Sequence, residues 1–201
     1  MTTSRLEAFS DGVLAIIITI MVLELKVPEE PTLRALWDET GTGLLTYLLS
    51  FVYIGIYWNN HHHMFQIVRR VDGAVLWANL TLLLSLSLYP FTTAWMDDAI
   101  NEYGWDEHTP VVVYGVNLLF AALAYYVLQL AVFRAEGGDS QLREALGSDL
   151  KGKLSPVLYV LGIVAAAFLH PAVGIVFFVA VAIIWLVPDR RLEQYVVEHQ
   201  A

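Results

Sequence analysis

The stretch RLEAFSDGVLAIIITIMVLEL, Arg5 to Leu25, decides how the chain is read. It sets an arginine, a serine and an aspartate at the mouth of an otherwise apolar helix, with a single threonine, Thr19, in its middle. A block of about 20 such residues, at about 1.5 Å of rise each, matches a hydrocarbon layer of about 30 Å. Polar groups that border lipid are costly, so Arg5, Ser10 and Asp11 need partners elsewhere in the protein.

The rest of the chain repeats this pattern. Of 201 residues, 57% are hydrophobic and 15% charged, against about a quarter charged in ordinary soluble domains. The apolar residues come in long blocks, which predicts an all-α membrane protein with spans near 6–27, 44–68, 74–96, 110–134, 155–169 and 172–188. The first block is too long and too acidic at its start for a cleaved signal peptide and reads as retained. Pro28 and Pro31 stop the first helix, and Ser4 with Glu7 has the spacing of a capping box. Ser155-Pro156 reads as a helix start and His170-Pro171 as a tight hairpin between two short spans, which leaves room for a single bent or re-entrant unit there. Residues 135–154 read as a hydrophilic connector whose middle has the pattern of a short surface helix.

An even number of spans puts both termini on one side. Arg5, Arg69, Arg70, Arg134, Arg143, Lys151, Lys153, Arg190 and Arg191 then share that side, while only Lys26 and Arg34 fall opposite. The positive-inside rule makes the basic side cytoplasmic. The outer loops are acidic, which suits solubility and also concentrates cations. The net charge of −9 argues against nucleic acid as a partner, and the absence of cysteine excludes disulfides and thiolate chemistry.

At about 100° per residue, Phe9, Gly12, Ile16, Ile20, Leu23 and Val27 share one face of the first helix, with Thr19 at its edge. Ser10 and Asp11 point the other way, and the spacing predicts that they turn inward toward His61, Trp77 and Asn79 on the second and third spans. A His61–Asp11 contact would be titratable near neutrality. Glu24 lies near the outer end of the helix, either as a ring of acid at a mouth or as a marker of the water interface. Consecutive His61, His62 and His63 lack the i,i+3 or i,i+4 spacing of paired metal ligands, so no metal site and no cofactor is expected. Asn117 is expected in a helix–helix hydrogen bond, and Trp37, Trp95, Trp105, Trp185, Tyr47, Tyr89 and Tyr195 in interfacial belts or in packing.

Arg5, Phe9, Ser10 and Asp11 form R-x-x-x-F-S-D at the start of the first span. With Trp58, His61 and Phe65, then Asn79-Leu80 and Tyr89-Pro90-Phe91, the first half of the chain resembles the transmembrane protein 175 family, which contains a lysosomal potassium channel and shorter prokaryotic relatives. The last three spans agree with it only in hydropathy. The resemblance implies a homotetramer of six-span subunits whose first helices line a central cation pathway. It implies no T-V-G-Y-G carbonyl filter, which this sequence also lacks. Instead it places branched aliphatic rings at the narrowest point: Ile16 at the constriction, Ile20 and Leu23 as further rings, and Thr19 as a hydroxyl layer. The expectation is a passive, modestly selective potassium channel with no catalytic residue. A secondary transporter would need paired broken helices and a charged midplane site, and neither is evident. A membrane enzyme would have to use the histidine cluster.

Overall fold

The computed structural model describes residues 2–137, 142 and 150–186. No strand occurs among them. The main helices are α1 (Thr3–Leu23), α2 (Leu33–Ile67), α3 (Gly73–Ser87), α4 (Tyr89–Tyr103), α5 (Thr109–Glu136), α6 (Leu150–Phe168) and α7 (Pro171–Leu186), with a short 3-10 turn over Gly104–Asp106. The expected Arg143, Arg190, Arg191 and Tyr195, most of the 135–154 connector and the last two residues of the 172–188 span lie outside the described residues.

Several boundaries differ from those the sequence suggests, each for a local reason. The helix α2 begins at Leu33 because the Thr32 hydroxyl caps it, accepting from the Ala35 amide at 3.1 Å; hydropathy alone hides this polar first part. The predicted 74–96 span is a bent rod that continues to residue 103. Pro90 has no amide proton for the carbonyl four residues back, and the chain bends at Leu88, which keeps near-helical angles of φ −83° and ψ −9°. The capping box is absent: α1 starts after Thr2 with no side-chain cap, and Glu7 is engaged elsewhere. Ser155 and Pro156 lie inside α6, where the Ser155 hydroxyl donates back to the Lys151 carbonyl at 2.8 Å.

Four of these segments and the bent α3–α4 rod are long and apolar enough to cross a membrane; α7, with 16 residues, is a shorter apolar helix. Successive segments run antiparallel. At one end the Thr3 hydroxyl meets the Val68 carbonyl, and the Arg69 amide donates to a Glu136 carboxylate oxygen at 2.9 Å. At the other end the Thr40 hydroxyl donates to the Lys26 carbonyl, and His108 donates to the Ala166 carbonyl. Arg5, Arg69, Arg70, Arg134, Lys151 and Lys153 therefore cluster at the first end, and Lys26 and Arg34 at the second.

The core is aromatic. Tyr53, Tyr89, Tyr114, Tyr159 and Phe178 are buried and meet edge-on or tilted, with centroids about 6 Å apart. Two of their hydroxyls bond inward: Tyr53 donates to the Phe178 carbonyl at 2.6 Å, and the Ser50 hydroxyl bridges Tyr114 and Thr93. The hairpin of α6 and α7 closes through His170, whose side chain accepts from the Ala172 amide. It packs on small residues, since a Cβ on Gly174 would stand 2.6 Å from the Ala166 Cβ and 2.7 Å from the Gly162 carbonyl.

Candidate functional site

The helix α1 has two unlike faces. Leu6, Ser10, Leu14, Ile17 and Met21 are buried at helical spacing against its neighbours. On the far side Phe9, Gly12, Ile16, Thr19, Ile20 and Leu23 are exposed in the single chain, Ile16 by 59% and Leu23 by 80%. Gly12 has no atom within 4 Å of where a Cβ would stand. An apolar stripe one helix long thus finds no partner within the subunit. Thr19 sits on it, its hydroxyl proton directed to the Ile16 carbonyl at 2.9 Å and its lone pairs left outward.

The buried face is held by polar ties. The Ser10 hydroxyl, fully buried, donates to the Leu6 carbonyl at 2.9 Å, so Ser10 can only accept from Asn79, whose Nδ2 lies 3.0 Å away. That orientation leaves the Asn79 Oδ1 as an acceptor, and His61 Nε2 donates to it at 2.8 Å. One directed chain of hydrogen bonds therefore joins α2, α3 and α1, and it fixes the neutral His61 as the Nε2-protonated tautomer. The His61 ring also packs on Phe65 with centroids 4.5 Å apart.

Of the residues expected in this network, Ser10, Asn79 and His61 meet. Asp11 pairs with α2 as foreseen, but through Trp58, whose indole nitrogen donates at 3.0 Å, and not through His61. Trp77 is 73% exposed and points away from α1, because Ala78 and Asn79 take the inward face of α3. Arg5 and Phe9 lie on the exposed side of α1 and do not reach the network. Glu24 is exposed just past the last turn of α1. Asn117 makes a helix–helix bond, its Nδ2 reaching the Thr92 hydroxyl at 3.4 Å.

Sequence reading missed Glu7 and His62. His62 Nδ1 lies 2.6 Å from the Glu7 carboxylate, its Nε2 meets the Gln66 amide at 2.8 Å, and its ring stacks on Trp58. The signal was available: Glu7 and Asp11 are four apart on α1, while Trp58, His62 and Gln66 recur every four residues on α2. Two antiparallel helices with such spacings place Glu7 opposite His62 and Asp11 opposite Trp58. The far end of α1 is fastened too, by Lys26–Asp98 at 2.9 Å. The Asp98 carboxylate raises the Lys26 pKa above its ordinary value, chiefly through that hydrogen bond.

The family model described as the endosomal/lysosomal potassium channel TMEM175 matches residues 5–90, the part that contains the whole network. A protein of Chryseobacterium sp. (strain P1-3) named a potassium channel is 50% identical over 199 residues, covering 99% of this chain and all of that protein. The chain belongs to the TMEM175 family. A Streptomyces collinus protein, also named a potassium channel, is 38% identical over 129 residues, covering 63% of this chain and 62% of its own length. In three dimensions the chain is similar to the crystal structure of a lysosomal potassium-selective channel TMEM175 homolog from Chamaesiphon minutus. That similarity has a TM-score of 0.75 at 28% identity and covers 93% of this chain and 97% of the other. It extends well past residue 90, so α5 to α7, whose sequence carries no family motif, follow the family fold. The chain is a multi-pass membrane protein.

Proposed function

We propose that the protein is a potassium channel that conducts passively along the axis of a homotetramer in the bacterial plasma membrane, with both termini cytoplasmic. The single observation that carries this reading is the two-faced α1: polar ties fasten one face, while the opposite face offers Phe9, Ile16, Ile20 and Leu23 with nothing in the subunit to cover them. Four such helices around an axis would bury this stripe against one another and against the permeation path. The names carried by the relatives favour potassium as the permeant ion. The clustering of basic residues at the end that holds the α1 N terminus favours the assigned orientation.

The neck works by dehydration. Isoleucine side chains from four subunits at position 16 leave little room for water, and a dewetted neck is closed. A small outward movement of α1 admits a partly hydrated cation. Potassium sheds water at lower cost than sodium, so an apolar neck favours it without a cage of oxygens, and the outward lone pairs of Thr19 help just beyond. Selectivity of this origin is modest. No chemical step is involved and no cofactor is required.

The test is potassium flux into liposomes holding the purified protein, with Ile16→Asn beside the parent. If the aliphatic ring adds about 1.4 kcal/mol to the barrier, the variant passes ions about tenfold faster, and discrimination between potassium and sodium falls. Flux and selectivity equal to the parent's would remove Ile16 from the neck.

A further inference from the structure

On the side of the subunit away from α1, between α2, α5, α6 and α7, lies a cavity of about 50 Å³ whose walls include Tyr53, Tyr57, Asn60, Tyr125, Gln129 and Tyr159. None of its lining residues is charged. Gln129 is 6% exposed and Tyr57 8%, yet neither the amide nor the hydroxyl makes a hydrogen bond to another described residue. Asn60 spends its Nδ2 on the Ile56 carbonyl at 2.8 Å, which leaves Oδ1 for the cavity. Buried polar groups are normally paired, so neutral donors and acceptors that open onto one space without a protein partner describe a seat for a hydrogen-bonding group.

The cavity has an outlet. Ile56 and Trp185 also line a groove of about 270 Å³ that runs between α2 and α7 past Phe51, Gly55 and Leu186, and both Phe51 and Leu186 are exposed. Trp185 is the partition between the two, held by its indole nitrogen donating to the Ser155 hydroxyl at 2.7 Å. The Lys151 ammonium stands over the Trp185 ring, 5.9 Å from its centre. A charged head of either sign would find no charge inside the cavity to offset its desolvation.

We infer that cavity and groove form one site for a neutral single-chain amphiphile from the bilayer, with a hydroxyl-bearing head in the cavity and its chain in the groove. A water needs about 10–15 Å³ of such space, so the head space of about 50 Å³ takes a few waters or a small diol, which suits the glyceryl group of a monoacylglycerol. The Gln129 amide and the Tyr57 hydroxyl bind the head, and Trp185 packs against the first methylenes.

The experiment uses the full-length protein in liposomes and bromine quenching of tryptophan, comparing a monoacylglycerol with a phosphatidylcholine that carry the same brominated chain. The part of the signal due to Trp185 is obtained by subtracting Trp185→Phe. The expected result is saturable quenching by the monoacylglycerol at a mole fraction well below that at which phosphatidylcholine acts. Gln129→Leu should raise that mole fraction about tenfold, the loss of roughly one hydrogen bond, and Ala122→Leu, which fills the cavity, should remove saturation. Equal quenching by both lipids would reduce the groove to general lipid contact. No quenching by either would mean that a neighbouring subunit covers it, and stronger quenching by a brominated alkylamine would reverse the charge argument. Each of these results overturns the inference, and the first comparison needs no variant.

Discussion

At the scale of single residues, one hydroxyl proton sets the direction of the whole anchoring chain. Because Ser10 spends its proton on the Leu6 carbonyl, Asn79 must donate to it and His61 must donate to Asn79. Replacing Asn79 with leucine strands the buried His61 imidazole and removes the bond that the Ser10 hydroxyl accepts. Leaving such groups unpaired costs about 1–3 kcal/mol, so Asn79→Leu should lower the melting temperature in detergent by several degrees, whereas Trp77→Ala, two positions away but outward, should leave it nearly unchanged. A smaller effect belongs to Lys26. Its folded pKa lies above the unfolded value, so the Asp98 pair contributes stability in full below pH about 10 and loses it as pH rises through the folded pKa. Both side chains are more than half exposed, and pairs of this kind are worth less than about 1 kcal/mol. The melting temperatures of the parent and Asp98→Asn should therefore differ slightly at neutral pH and converge in strong alkali or in high salt.

At the scale of helices, what could be read from the sequence depended on whether the signal was local. The His170-Pro171 hairpin was legible because both residues act within their own turn. The stripe on α1 was legible because helical periodicity alone separates Ile16 from Ser10. Ser155-Pro156 misled, since a serine can bond back to a carbonyl inside a helix as readily as it can cap one, and only the register of the Lys151 carbonyl decides. The partner of Asp11 was misjudged because the choice between Trp58 and His61 depends on the rotation of α2, which is set by its contacts along its full length. The α6–α7 seam was not legible at all, because glycines in an apolar run give no indication of what faces them. It is nonetheless stringent: Gly174→Val must displace the Ala166 Cβ and the Gly162 backbone, an overpacking penalty of about 1–3 kcal/mol. Thermal denaturation should show that loss.

At the scale of the molecule, a single chain leaves its most informative surface uncovered, and the oligomer has to be tested through that surface. The absence of cysteine provides a clean background. With Ile16→Cys, four subunits meeting on an axis would present a ring of thiols, a ligand set that soft metals favour. Cadmium, at concentrations that leave the parent's flux unchanged, should then block the variant and should spare Trp77→Cys. Block of neither variant would place residue 16 against lipid. The anchoring chain also bears on biogenesis. Ser10 and Asn79 are separated by 69 positions, so the first segment enters the bilayer long before its partner is synthesised. The serine tolerates this delay by bonding to its own backbone, whereas Asn79 directs its amide to Ser10 and its oxygen to His61. The chain of bonds can close only once the third segment docks onto the first two, and a polypeptide halted before residue 79 should remain a target for membrane quality control.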